Sequence, residues 1–358
     1  MKLSRENILK IEPYIPGKPI QEVRRELGIT GEIIKLASNE NPIGPSPKAV
    51  NAIRKYLNNI NYYPEGGCPE LISALAKKHN LSPSNIIVGN GSNEILELIA
   101  EAFLKQGDEV IITNLTFVVY KMVSLLMDAN IVPAELKDYR YDLDAISGKI
   151  TDKTKIIFIC NPNNPTGTMV TEAEVEKFMG NIPDNTIVIF DEAYYEYVTR
   201  SDFPNTLKYL VANKNVFILR TFSKIYGLAG LRIGYGMANP EFIEILNRVR
   251  QPFNVNSLAQ EAALAGLKDE KHVAESIKVN NEGIQFLYKS FSEMNMKYIE
   301  TSANFIFLDL GRSNKQVVND LLKKGIIVRD IGDTYIRVTV GTQSQNEKFI
   351  NAFKEVFK

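Results

Sequence analysis

The segment Thr221-Phe222-Ser223-Lys224 is followed by a glycine-spaced stretch, Gly227-Leu228-Ala229-Gly230-Leu231-Arg232. It closes an apolar run from Asn215 to Arg220. A lysine is costly to place in apolar surroundings unless another group takes over its charge. Held there with a lowered pKa, its amine is the usual starting point for a Schiff base to a carbonyl. The neighbouring hydroxyls and Arg232 suit a phosphate dianion. An aldehyde and a phosphate occur together in pyridoxal phosphate. An ordinary surface loop would account for an isolated Ser-Lys pair, so the residues elsewhere in the chain decide.

Asp191 closes the run Thr186-Ile187-Val188-Ile189-Phe190, where a carboxylate could pair with a protonated pyridine nitrogen or simply cap the next turn. Lys224 follows it by 33 positions, enough for a crossover helix and one more strand, so both can reach the same sheet edge. Asn161-Pro162-Asn163-Asn164-Pro165-Thr166-Gly167 must turn sharply, with two X-Pro bonds and a glycine. Asn164 there could donate to a phenolic oxygen, and Asn164-Pro165 is expected to be cis. Gly89-Asn90-Gly91-Ser92-Asn93-Glu94 ends a strand and opens a helix, which suits a phosphate cradle or a plain helix cap. Glu94 stands in the place of a third glycine, which weakens a dinucleotide reading. Phe117 could stack on a flat ring or belong to the core. In Tyr335–Val340, alternation puts Tyr335, Arg337 and Thr339 on one face. Arg337 there could grip a carboxylate or sit on a solvated strand, and Arg329 is ambiguous in the same way.

The elements that must position these residues alternate. β-Branched runs at Ile86–Val88, Val110–Ile112, Ile131–Val132, Lys155–Cys160, Thr186–Phe190 and Asn215–Leu219 are separated by helical stretches such as Ser92–Lys105, Phe117–Asp128 and Thr171–Met179. The pattern predicts an α/β fold with a mostly parallel sheet covered on both faces, and ligands at the carboxyl ends of its strands. From Ala259 the texture changes to a long helix toward Ser290, strands at Asn304–Asp309, Ile326–Val328 and Tyr335–Val340, and a last helix to Lys358. Three parts are expected: an N-terminal arm over 1–35, a large domain over 36–258 and a smaller α+β domain over 259–358.

Bulk properties exclude several classes. Lys+Arg and Asp+Glu number 42 each, so nothing draws the chain to nucleic acid or an anionic membrane. No run reaches the length of a membrane span, and Met1–Ile20 has no signal-peptide core. Cys68 and Cys160 are the only cysteines, which favours a reducing compartment, and the two histidines are too far apart for a metal site. His79, beside Lys77 and Lys78, is read as a helix-surface residue.

With these residues in view, the chain resembles the pyridoxal-phosphate aminotransferases of fold type I, and among them the histidinol-phosphate aminotransferases. The likeness runs nearly end to end: Tyr14–Pro19, Lys35–Pro42, Tyr63-Pro64, the Gly89 loop, the Asn161 turn, Asp191–Tyr194, the Lys224 segment and Arg337–Gly341. Aromatic aminotransferases and threonine-phosphate decarboxylases share much of this pattern. The resemblance implies a seven-stranded large-domain sheet and pyridoxal 5′-phosphate as cofactor. It implies that Lys224 is the Schiff-base lysine and that Asp191 pairs with the ring nitrogen. Asn164 and Tyr194 would bond the phenolic oxygen, and Phe117 would stack on the ring. Ser92, Asn93, Thr221, Ser223 and Arg232 would hold the phosphate, with Tyr63 reaching across from the neighbouring subunit of a homodimer. Arg337 would bind an α-carboxylate, Arg329 the substrate's phosphate, and Tyr14 would line the pocket. The implied reaction is amino transfer from histidinol phosphate to 2-oxoglutarate, in the cytoplasm and without metal. Two departures stand out: only eight positions separate Arg329 from Arg337, and Phe117 stands where tyrosine is common.

Overall fold

The computed structural model describes residues 3–357; Met1, Lys2 and Lys358, the outermost ends of the expected arm and last helix, lie outside the described residues. Strand β1 (Ile34–Leu36) comes first, followed by β2 (Ile86–Gly89), β3 (Glu109–Thr113) and β4 (Asn130–Ala134). A short hairpin, β5 (Leu136–Lys137) and β6 (Arg140–Tyr141), leads to β7 (Thr154–Cys160), β8 (Ile187–Asp191), β9 (Val216–Thr221) and β10 (Gly234–Ala238). The last strands are β11 (Lys297–Ile299), β12 (Phe305–Asp309), β13 (Ile326–Ile331) and β14 (Tyr335–Thr339).

Seven strands form one sheet in the order β2-β10-β9-β8-β7-β3-β4. All neighbours are parallel except β10, which runs antiparallel to both β2 and β9. Its central strands, such as Ile187-Val188-Ile189-Phe190, are buried on both faces, which is why they read as unbroken apolar runs without alternation. The connecting helices begin where the chain supplies caps: Thr171 and Glu174 form a reciprocal capping box at the start of Glu172–Met179.

A second sheet, ordered β1-β13-β14-β12-β11, packs on the helices Glu270–Glu293 and Gln343–Val356. Only β1 is parallel to its neighbour. The chain therefore contributes an edge strand to this sheet before it ever enters the large one. No described helix is long and apolar enough to cross a membrane.

Two features depart from local expectation. His79 is not a free surface group: its Nε2 lies 3.0 Å from Tyr235 Oη, and burial holds its pKa down at about 3. The end of its helix packs on β2, next to β10, an arrangement that the flanking lysines do not reveal. Beneath the site, Arg220 and Glu192 form a buried ion pair on neighbouring strand ends, with Nη2 2.8 Å and Nε 3.0 Å from Glu192 Oε2. The Arg220 guanidinium also lies 3.4 Å from the centre of the Tyr195 ring. Thr206 Oγ1 donates to the other Glu192 oxygen at 2.5 Å, so both oxygens of this buried carboxylate are hydrogen-bonded, which helps make such a pair tolerable.

Candidate active site

The sheet register builds the site. Cys160 pairs with Asp191, and Asp191 with Leu219, so the carboxyl ends of β7, β8 and β9 lie side by side. The Asn161 turn, Asp191 and the Lys224 loop leave those ends. They open into a cavity of about 290 Å³, at the small end for ligand pockets. Twelve of the fourteen expected site residues line it: Tyr14, Ser92, Asn93, Phe117, Asn164, Asp191, Tyr194, Thr221, Ser223, Lys224, Arg232 and Arg337. Both Asn161-Pro162 and Asn164-Pro165 are cis.

Lys224 Nζ donates to Ser38 O at 3.1 Å. Burial, then the charge of Arg337, brings its pKa down to about 8. Asp191, 3% exposed, moves the other way, raised by burial to about 6, with Tyr120 and the Ala193 N–H opposing the rise. The Lys224 loop sits tightly because of Gly227. At φ +68°, a Cβ there would meet Gly44 O at 2.2 Å, which no side chain permits.

At one end of the cavity the helix Ser92–Phe103 begins, preceded by Gly91. A Cβ on Gly91 would lie 2.6 Å from Arg232 Nη2, so the guanidinium sits directly over the helix start. Arg232 Nη1 donates to Ser223 Oγ at 3.4 Å, and the Ser223 N–H donates to Thr221 Oγ1 at 3.0 Å. Helix N–H groups, two hydroxyls and a guanidinium converge here, the donor set that a phosphate dianion needs. Glu94, which replaces the third glycine of a dinucleotide loop, instead accepts from the Asn90 N–H and Asn254 Nδ2 and braces the loop.

The small sheet supplies the other end. Arg337 lies directly opposite Arg329 in the β13–β14 register, so both point to one face. The short spacing between them is a tight hairpin turning at Gly332-Asp333-Thr334, with Asn314 Nδ2 donating to Gly332 O and Tyr335 O. Arg337 is 8% exposed rather than on a solvated strand. It donates to Ala37 O at 2.6 Å and to Asn164 Oδ1, while its buried Nε has no partner. Among the described residues, no carboxylate lies within ion-pair distance of Arg232 or Arg337.

Two expected residues stand elsewhere. Arg329 lies off the cavity wall, its Nη1 donating to Ile15 O at 2.9 Å and its guanidinium 5.7 Å from the Tyr14 ring. Tyr63 is 82% exposed, stacked on Phe253 at 4.8 Å, and does not reach this chain's own cavity. Sequence reasoning also missed residues. Asn39, at φ +55°, donates through Nδ2 to Tyr194 Oη at 2.8 Å, and its N–H donates to Thr339 Oγ1 at 2.9 Å. It thus ties Tyr194 to the small sheet. Its place in Lys35–Pro42 was visible, but not its role. Tyr120 donates to Asp191 Oδ2 at 2.7 Å, and nothing local marks it.

The model of the family "Aminotransferase class I and II" matches residues 31–353. A histidinol-phosphate aminotransferase of Moorella thermoacetica is 51% identical over 98% of this chain and 92% of its own length. One from Caldicellulosiruptor saccharolyticus is 49% identical over 98% of this chain and 99% of its own. The crystal structure of histidinol-phosphate aminotransferase from Sinorhizobium meliloti in complex with pyridoxal-5′-phosphate superposes with a TM-score of 0.91 at 24% identity. That superposition covers 99% of this chain and 98% of the other, and establishes the fold.

Proposed function

The chain belongs to the class I and II aminotransferases, and from that premise we propose that it moves the amino group of histidinol phosphate to 2-oxoglutarate, giving imidazole acetol phosphate and glutamate in histidine biosynthesis. The cofactor is pyridoxal 5′-phosphate. The observation that carries the reading is a charge pattern. A lysine of lowered pKa faces a buried aspartate, between two guanidiniums that have no acid partner among the described residues. Two fixed cations without anions call for two anions, and a phosphate and a carboxylate supply them.

When bound, the cofactor supplies an aldehyde for covalent attachment and a ring that draws electrons from the reacting carbon. The chain does the rest. Ser92, Asn93, Thr221, Ser223 and Arg232 hold the phosphate. Asp191 stands against the ring nitrogen and keeps its proton in place. Phe117 covers one face of the ring, and Asn164 Nδ2 and Tyr194 Oη bond its phenolic oxygen. Lys224 Nζ would hold the cofactor's aldehyde carbon and, as a free amine, would serve as the general base and acid for the proton on the donor's amine-bearing carbon. Arg337 grips the α-carboxylate of the oxo acid, since histidinol phosphate has none. Arg329 and Tyr14 meet the donor's phosphate at the rim.

Tyr63 reaches the cofactor phosphate of a second subunit, so the working unit is a homodimer with shared sites; its exposure and its distance from its own cavity support this. The arm (1–35), large domain (36–258) and small domain (259–358) share the work, with the end of the arm completing the small sheet, and the enzyme acts in the cytoplasm.

A half-reaction screen tests the substrate. The cofactor-loaded protein is mixed with histidinol phosphate, phenylalanine or phosphothreonine, and loss of near-visible absorbance is followed. Histidinol phosphate is expected to react fastest, without CO₂ release. A preference for phenylalanine would remove Arg329 from the site, and CO₂ from phosphothreonine would make the enzyme a decarboxylase.

Attachment of the cofactor has its own pH signature. Burial and Arg337 favour the neutral amine of Lys224, so roughly a tenth of it is neutral at pH 7, against well under ~0.1% for an exposed lysine. The initial rate at which cofactor-free protein captures pyridoxal phosphate is expected to rise about tenfold per pH unit and level off above about 8. A midpoint near the ordinary lysine value of 10.5 would contradict the assigned environment.

A further inference from the structure

Asp191 is gripped from two sides. Its Oδ2 accepts from Tyr120 Oη at 2.7 Å, and its Oδ1 accepts from the Ala193 N–H at 3.2 Å. Tyr120 is completely buried. Its ring stacks on Phe158 of β7, centroids 4.6 Å apart and 8° from parallel. It meets the ring of Phe117 edge-to-face at 5.6 Å and 82°. One tyrosine thus touches both the acid and the aromatic ring that line the same cavity.

We propose that Tyr120 is a positioning residue for the coenzyme ring: its hydroxyl sets the plane of the Asp191 carboxylate, and its ring sets the tilt of Phe117. The proposal rests on the reading that Asp191 meets the ring nitrogen. A buried phenol needs some acceptor, and any backbone carbonyl would satisfy it. This one is aimed instead at a buried carboxylate. Burial and the Asp191 charge hold the Tyr120 phenol well above its ordinary pKa, so it remains a donor at any pH of interest. Two fixed donors leave the carboxylate little freedom to rotate, and hydrogen bonds to a charged acceptor are the strong ones. The helix Val119–Leu126 that carries Tyr120 is itself anchored. Ser124 Oγ donates to Tyr120 O at 2.7 Å, and Asn7 Nδ2 from the arm donates to Leu125 O and Leu126 O at 2.8 and 3.0 Å.

The test compares two ligands on the full-length, cofactor-free protein. One is pyridoxal phosphate, and the other is its analogue with C–H in place of the ring nitrogen. Tyr120→Phe keeps the ring and removes only the hydroxyl. It is expected to weaken binding of pyridoxal phosphate about tenfold. The analogue, which has no nitrogen for Asp191 to hold, should bind no more weakly than to the unmodified protein, and this also shows that the variant's site is folded. Equal losses for both ligands, or no loss for pyridoxal phosphate, would overturn the proposal. Asp191→Asn separates the two levels of the argument. If it discriminates between the ligands while Tyr120→Phe does not, Tyr120 alone is excluded. If Asp191→Asn treats both ligands alike, the role of Asp191 fails and the proposal falls with it.

Discussion

Lys224→Ala is expected to lower turnover by about 10³-fold or more, in the upper part of the range for loss of a positioned acid–base group. The size of the effect follows from the lack of a substitute. Ser38 offers Lys224 only a carbonyl oxygen, the nearby arginines stay protonated, and the two carboxylates of the cavity are engaged elsewhere, Asp191 by Tyr120 and the Ala193 N–H and Glu40 by Lys35. The variant should still bind the cofactor through the Arg232 and Ser92 end, because those donors are untouched. Borohydride reduction followed by peptide mass analysis provides the check. The unmodified protein should carry the cofactor on the peptide containing position 224, and the variant should carry none. A variant that keeps a tenth of the turnover, or a label on another lysine, would remove Lys224 from the centre of the mechanism.

The second large effect belongs to Arg337. Arg337→Gln is expected to reduce kcat/KM for 2-oxoglutarate about 100-fold, as truncation of a buried, hydrogen-bonded charge contact does. The half-reaction with histidinol phosphate should fall at least tenfold less, because that donor has no α-carboxylate for the guanidinium to grip. Some loss is expected even there. Arg337 also orders Asn164, and its charge helps lower the pKa of Lys224. Single-turnover kinetics of the two halves separates these contributions. Equal losses in both would mean that Arg337 acts through the fold and not on the oxo acid.

The buried Arg337 Nε shows why the two arginines of the small sheet differ. Arg329, directly across the hairpin, satisfies one nitrogen with Ile15 O of the arm. The arm therefore holds Arg329 off the cavity wall, whereas Arg337 of β14 lines the cavity itself. From the sequence, both arginines looked alike.

Much of the rest was legible along the chain. Apolar runs such as Lys155–Cys160 and Thr186–Phe190 are strands because β-branched residues buried on both faces leave no alternation, and each appears where it was read. The Asn161 turn, Asp191 and Lys224 sit at carboxyl ends of strands because polar and glycine-rich residues directly follow those runs. Local composition determines such features. What it could not determine is which strand lies next to which. Tyr120 reaches Asp191 across 71 positions, and Asn39 reaches Thr339 across 300. Those contacts exist only once β3 has paired with β7 and β1 has joined the small sheet. His79 shows the same limit: its lysine neighbours suggest an exposed position, yet it lies against Tyr235. Periodicity and turn chemistry act over a few residues, whereas the aim of a buried hydroxyl or amide is set by whichever distant element packs against it.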